Sequence, residues 1–321
     1  MLVPSNNKGG SELEYRELGQ TGLKVSALSF GASSLGSVFR EINEKEGMRT
    51  VHTAIDNGIN YIDVSPYYGL TKAETVLGKA LKSIPRDQYI LSTKAGRMSE
   101  HEFDFSKEQI FQSLEESLRR LGTDYVDILL LHDIEFGSYR QVIEEGIPAL
   151  KQLKVQGKIR YFGVSGLPLT IFDKVLKETD LDVILSYCHY SLNDTSLLTR
   201  IPFLKEKKIG VINASPLSMG LLSSRELASW HPASEEIKKI CKQAAEYCES
   251  QGEDLAKLAI QFSTQNPLIP TTLVSTASSS NILKNIKWTE EPIDTQLLEE
   301  VLRILQPIHN QTWPSGTEEW L

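Results

Sequence analysis

Short apolar runs alternate with longer amphipathic stretches along most of the chain. Eight of the runs read as strands: ALSFG (27–31), INYIDVS (59–65), YILSTK (89–94), VDILLLH (126–132), IRYFGVS (159–165), DVILSY (182–187), IGVINAS (209–215) and TTLVS (271–275). Between and after them, apolar residues recur at helical spacing over 44–57, 72–82, 106–121, 140–156, 168–178, 194–207, 233–265 and 279–287, and a last helix is expected over 293–305. The strand runs are too continuously apolar for a sheet with one wet face, which argues for parallel strands covered on both sides. Eight strand–helix units in 321 residues fit a (β/α)8 TIM barrel better than an open doubly wound sheet. No GxGxxG follows the first strand, so the usual signal of a Rossmann domain is missing. Ahead of the first unit, EYRELGQTGLKVSAL reads as a β-hairpin, two short alternating runs around a Gly-containing turn. Residues 1–12 are polar and expected to be loose, and no linker divides 13–321, which is expected to form a single domain.

Charge and cysteine content narrow the function classes. A net charge of -8 argues against nucleic acid or an anionic membrane as the main partner. The opening residues lack an apolar secretory core, and no stretch approaches a membrane span. Cys188, Cys241 and Cys248 are odd in number without CxxC spacing, as expected for free thiols in a reducing, cytoplasmic setting. A monomer or weak homo-oligomer is expected.

In a barrel, chemistry belongs to the loops leaving the strand C-termini. The polar residues ending the runs are Asp63, Lys94, His132, Ser165, Tyr187, Ser215 and Ser275. Singly, each has a structural explanation: a helix cap, a solvated lysine, a satisfied core histidine. Their coincidence is the informative feature. Asp63, Lys94 and His132 end three successive strands, and YIDVSPYYG adds Tyr67 and Tyr68 just beyond the first. A lysine kept charged by a buried carboxylate would depress the pKa of a nearby phenol, which then donates a proton to a carbonyl or takes one from a hydroxyl. His132 would orient the same oxygen. The six histidines show no metal-ligand spacing, and no metal is expected. A proton relay of this kind pairs naturally with hydride transfer to or from a nicotinamide.

These residues match a known pattern. LGQTGLKVSALSFG, NGINYIDVSPYYG, STKAG, LLLHD, GKIRYFGVSG and NASPLSMGLL occur in the order found in aldo-keto reductases, and the chain resembles that superfamily over essentially its whole length. The resemblance implies a (β/α)8 barrel whose N-terminal hairpin closes the bottom, an extended NAD(P)H cofactor and no metal. The family's catalytic aspartate falls on Asp63, its proton-transferring tyrosine on Tyr68, its lysine on Lys94 and its histidine on His132. FGASSLGSVF, LHDIEFGS, VILSYCHYSLND, WHPAS and TWPSG further resemble the branch of plant-type L-galactose dehydrogenases, which oxidise the C1 hydroxyl of a sugar to a lactone with NAD.

The resemblance also implies cofactor contacts. Ser165 takes the place of a serine that holds the nicotinamide, but the asparagine that normally follows is Gly166. Tyr187 replaces a glutamine that meets the carboxamide, and Ala214 replaces a stacking aromatic. Ser215, Leu217 and Met219 fall on the loop that wraps the pyrophosphate, and Thr276, Ser278 and Asn285 on the last cofactor segment. Two positions there are basic in NADPH-using members. They are Ser275 and Asn281 here, which favours NAD over NADP, with Lys284 and Lys287 the nearest cations. Phe39, Asp133, Glu135, Phe136 and Trp313, with His132, are the candidates for meeting a small sugar or aldehyde substrate. Two other readings share these residues: an NADPH-dependent carbonyl reductase, and a cofactor-binding regulatory subunit resembling the potassium-channel β-subunits.

Overall fold

The computed structural model describes residues 13–38 and 41–320; the first twelve residues and Phe39 lie outside that description. The chain opens with an antiparallel pair, β1 (Tyr15–Glu17) and β2 (Lys24–Ser26). Eight parallel strands follow and close into a barrel: β3 (Leu28–Gly31), β4 (Tyr61–Asp63), β5 (Ile90–Ala95), β6 (Val126–Leu131), β7 (Ile159–Gly166), β8 (Val183–Tyr187), β9 (Gly210–Ala214) and β10 (Thr271–Ser275). β10 pairs with β3 to complete the ring, Val274 standing opposite Phe30. Each strand falls within a run expected from the sequence or within one residue of it.

Alternation along the strands builds two cores. Ile128, Leu130, Val183, Leu185, Ile212 and Leu273 meet inside the barrel, while Leu129, Leu131, Ile184, Val211 and Val274 pack outward under the helices. Both faces are dry, which is why the runs are apolar throughout. Leu18 and Val25 from the hairpin join the interior cluster. Gln20 N–H donates to the Lys208 carbonyl just before β9, and Ser26 N–H donates to Asn60 Oδ1 just before β4. The hairpin therefore plugs the N-terminal end and leaves the C-terminal mouth for chemistry.

Around the barrel run α1 (Glu44–Asp56), α2 (Lys72–Leu81), α3 (Lys107–Leu121), α4 (Tyr139–Gln141), α5 (Ile147–Val155), α6 (Thr170–Glu178), α7 (Ile201–Glu206), α8 (Glu235–Ser250), α9 (Leu255–Gln265) and α10 (Ser279–Glu290). The last helix, α11 (Thr295–Leu305), packs with α8 and α9 into a second apolar cluster beside the barrel. The helix expected over 233–265 is two helices. Gly252 at φ 75 breaks it, and Asp254 caps the restart by accepting from Ala256 N–H. The 140–156 helix contains a π turn at Val142–Gly146, just ahead of Pro148 in the first turn of α5.

Candidate active site

Three buried strand ends meet at the mouth. Asp63 ends β4, Lys94 lies one residue from the end of β5, and His132 follows β6 directly; they are 3%, 1% and 4% exposed. Lys94 Nζ donates to Asp63 Oδ1, to the Val64 carbonyl (3.1 Å) and to the Tyr68 hydroxyl (3.2 Å). Ser92 Oγ donates to Asp63 Oδ2 (2.6 Å) and is bonded to the Tyr61 hydroxyl (2.9 Å). A charge this deep persists only when paired and hydrogen-bonded, and both conditions hold for Asp63. Burial presses Lys94 toward the neutral amine, but the Asp63 carboxylate and the Tyr68 oxygen outweigh it and raise its pKa. Lys94 is therefore an ammonium throughout the physiological range.

Tyr68 is delivered by a tight, strained loop. Gly69, Leu70 and Thr71 all have left-handed backbones, at φ 62, 47 and 77, a conformation that costs non-glycine residues about 1–2 kcal/mol each. The loop leaving β3 crosses it at close range: a Cβ on Gly36 would lie 2.5 Å from the Tyr68 carbonyl oxygen. Ala73 N–H at the start of α2 donates to that same carbonyl. The net effect on the phenol differs from the expected depression. Lys94 does pull the Tyr68 pKa down, but burial is larger and leaves it raised. The cation thus offsets part of the burial penalty on a phenolate without abolishing it.

His132 closes the group. Its Nδ1 is 2.9 Å from Ser65 Oγ, which accepts from Tyr67 N–H at 3.1 Å. The Ser65 hydroxyl hydrogen is then free to point at Nδ1, which puts the ring hydrogen on Nε2. Burial, Lys94 and Arg97 hold the imidazole pKa well below its usual value, so the ring is a neutral donor. The Tyr68 and Tyr67 rings stand edge-on to it at 5.7 and 5.8 Å. Beside it, Arg97 is ion-paired to Asp133 and lies over the Tyr67 ring at 3.7 Å.

The remaining strand ends form a second region. Ser165 is fully buried, and its Oγ accepts from Asp133 N–H at 3.2 Å. Tyr187 ends β8; burial, then Asp133 and Glu135, push its hydroxyl well up. After β9, Ser215, Ser218, Met219 and Gly220 have positive φ, while Leu217 between them stands at φ -90. The N–H groups of Ser218, Gly220, Leu221 and Leu222 are bonded within this turn, to the Ser215, Leu217 and Ser218 carbonyls. Ser275 Oγ accepts from Ser33 Oγ and Ser34 N–H, both at 2.9 Å, so it ties the β3 loop to β10. Thr276 Oγ1 accepts from Ser278 N–H (3.2 Å), and Ser278 caps α10 by accepting from Asn281 N–H (3.4 Å). Asn285 is buried on that helix. Glu135 Oε2, Ser186 Oγ and Asn213 Oδ1 are buried without a partner among the described residues. The hydroxyls of Ser165 and Tyr187 at the strand ends and the serine-capped start of α10 fit a nicotinamide dinucleotide. Ser165 and Tyr187 would hold the nicotinamide end, and the 215–220 loop and α10 the rest.

Among the substrate candidates, Phe136 is 37% exposed and stacks on Phe103 at 5.2 Å beside Arg97. Trp313 instead packs edge-on against His231 at 5.1 Å within the α8–α11 cluster. Glu135 reaches the end of β7. Ser65, Ser92 and Arg97 belong to the site by contact but stood outside the residues expected from the sequence. Only Arg97, three residues past Lys94 in a strand-exit loop, carried a readable signal.

The mouth of this barrel holds a buried lysine shared between a carboxylate and a phenol, with a neutral imidazole alongside, which defines a (β/α)8 oxidoreductase built for proton transfer beside a hydride carrier. The Aldo/keto reductase family model matches residues 27–306. The chain is 50% identical over 318 residues to the L-galactose dehydrogenase of Arabidopsis thaliana, covering 96% of this chain and 99% of that protein. It is 34% identical to the D-arabinose 1-dehydrogenase of Saccharomyces cerevisiae, covering 91% and 94%. An aldo-keto reductase from Bacillus halodurans, in its holo form, superposes with a TM-score of 0.77 at 29% identity, covering 94% and 98%. The chain belongs to the aldo/keto reductase family, whose members use a nicotinamide cofactor.

Proposed function

We propose that this protein oxidises the C1 hydroxyl of an aldose such as L-galactose to the lactone with NAD+. The observation that carries the reading is the Lys94 ammonium bonded at once to Asp63 and to the Tyr68 hydroxyl. NAD+ supplies the acceptor for the hydride leaving C1. Tyr68 takes the hydroxyl proton, and Lys94, 3.2 Å from the phenol oxygen, stabilises the negative charge that oxygen carries beforehand. Asp63 keeps Lys94 charged and in place. His132 Nε2–H donates to the sugar oxygen, and Arg97 with Asp133 offers a charged pair for neighbouring hydroxyls. The names of the Arabidopsis and yeast relatives point to the same substrate class.

Preference for NAD over NADP is supported at the start of α10. Glu46 Oε1 accepts there from Ser279 N–H (2.8 Å) and Ser279 Oγ (2.7 Å), a carboxylate where a 2'-phosphate would need cations. Lys284 is drawn to Asp254 and Lys287 to Glu291. We further infer one domain over 13–321 acting as a monomer or weak homo-oligomer. The three buried free cysteines suit the reducing cytoplasm.

Initial rates of NAD+ and NADP+ reduction with L-galactose, L-fucose and D-arabinose test the proposal. NAD+-linked oxidation of one of these sugars is expected, faster at mildly alkaline than neutral pH because burial raises the Tyr68 pKa. Reduction of simple aldehydes by NADPH with no sugar oxidation would overturn it.

A further inference from the structure

His132 Nε2 faces a carboxylate that stops just short of it. Asp133 Oδ2 stands 3.7 Å from that nitrogen, beyond hydrogen-bond range, and the same oxygen is ion-paired to Arg97. The backbone of Asp133 is fixed in a left-handed conformation at φ 51, with its N–H donating to Ser165 Oγ, which leaves only the side chain free to turn. Arg97 is held in its place as well. Its guanidinium lies over the Tyr67 ring at 3.7 Å and is 5.3 and 5.8 Å from the centres of the Phe103 and Phe136 rings. Its Nε donates to the Ser99 carbonyl at 3.4 Å, and the strand-exit loop folds back so that Arg97 and Phe103 form an antiparallel bridge.

An imidazole N–H and a guanidinium thus stand before one carboxylate oxygen, and the guanidinium has it. The Nε2 hydrogen serves the reaction only while it is unspent, because it is the one given to the sugar oxygen. We infer that Arg97 is a positioning residue that draws Asp133 Oδ2 away from His132 and so keeps Nε2–H free for the substrate. This rests on the part given to His132 in the reaction above. Charge counting supports it. Around the ring stand the Lys94–Asp63 pair, the Tyr67 and Tyr68 rings, and the Arg97–Asp133 pair, two cations against two carboxylates. Tyr187 and Glu135 also feel Asp133, and burial keeps both protonated at pH 7. Without Arg97, one cation would face two carboxylates. The Asp133 side chain is 7% exposed, too deep for water to replace a lost partner. A turn that brings Oδ2 about 1 Å nearer would make a charge-assisted bond to Nε2. The imidazole would then take up a proton as the new partner of Asp133, and its N–H would no longer be open to the sugar.

Nitrogen–proton correlation spectra of the histidine rings read the charge on His132 without substrate or cofactor, and His132→Gln identifies its signal. They would be recorded at pH 6.5, about the ordinary imidazole midpoint. The ring should be neutral in the wild type, charged in Arg97→Met, and neutral again when Arg97→Met is combined with Asp133→Asn. In parallel, kcat/KM for NAD+-linked aldose oxidation should fall about 100-fold in Arg97→Met, the usual worth of a positioned donor, and regain at least about tenfold in the double variant. Should Arg97→Met fail to fold, Arg97→Ser, which admits water beside Asp133, carries the same comparison. An imidazole that stays neutral without Arg97, or stays charged once Asp133 is also neutralised, would overturn the assignment. The expected ring charges in a protein whose wild type oxidises no sugar would uphold the arrangement and refute the reading of the reaction instead.

Discussion

Replacing Lys94 with methionine would leave the Asp63 carboxylate buried opposite an apolar side chain. The pair is 1% and 4% exposed at its side chains, so solvent replaces little of the lost attraction. Two unit charges about 3 Å apart at an effective dielectric near 20 interact by about 5 kcal/mol, and breaking one side of a buried pair typically costs about 3–5 kcal/mol. Removing both charges is a different perturbation. Asp63→Asn with Lys94→Met leaves an amide beside Ser92, which still donates to it, and no stranded charge. The double variant should regain at least about 2 kcal/mol over Lys94→Met alone in denaturant unfolding. Turnover should not return. The same arithmetic gives Lys94 about 5 kcal/mol of leverage on a phenolate at 3.2 Å, so NAD+-linked oxidation should fall by about three to four orders of magnitude in both variants. A double variant that recovers turnover with its stability would refute the role given to the ammonium. Additive stability losses would refute the claim that Asp63 is held chiefly by Lys94.

Two further predictions follow from the packing. Gly36→Ala drives a methyl to 2.5 Å from the Tyr68 carbonyl; a shift of about 1 Å in the catalytic loop should cut kcat about 100-fold while the far-UV circular dichroism is retained. For Glu135, a folded-state carboxyl pushed from 4.5 to about 8 means the native protein keeps a proton that the unfolded chain releases. Its stabilising effect is full below about pH 4.5 and is lost as pH rises to about 8, by up to about 5 kcal/mol. Glu135→Gln should flatten most of that slope in unfolding midpoints measured between pH 5 and 8, and an unchanged slope would contradict the shift that burial gives this carboxyl.

The barrel was legible because its signal is local: each strand is apolar on both faces, so a run of four to eight residues announces it. Asp63, Lys94 and His132 were legible for the same reason, as polar residues ending such runs. What stayed hidden depends on chain crossings. Nothing in PYYG tells Tyr67 from Tyr68, because the choice is set by left-handed residues at 69–71 and by the β3 loop pressing on Gly36. The reach of Glu135 to Gly166, and its locking by Ser315 and Thr317, joins the β6 loop to the C-terminal segment, far apart in the chain. Trp313, a candidate for meeting substrate, packs edge-on against His231 in the apolar cluster of α8 and α11, a contact that no local pattern announces. The 233–265 helix looked continuous because apolar periodicity persists across Gly252.

The most direct test of the account is the turnover of Tyr68→Phe with NAD+ and the best aldose found for the wild type, measured alongside its NAD+ dissociation constant. Loss of the hydroxyl bonded to Lys94 should lower kcat by about 100-fold or more with NAD+ affinity within about twofold, because the ring stays and only the proton acceptor is gone. A variant that keeps more than about a tenth of wild-type turnover would show that the proton leaves by another route.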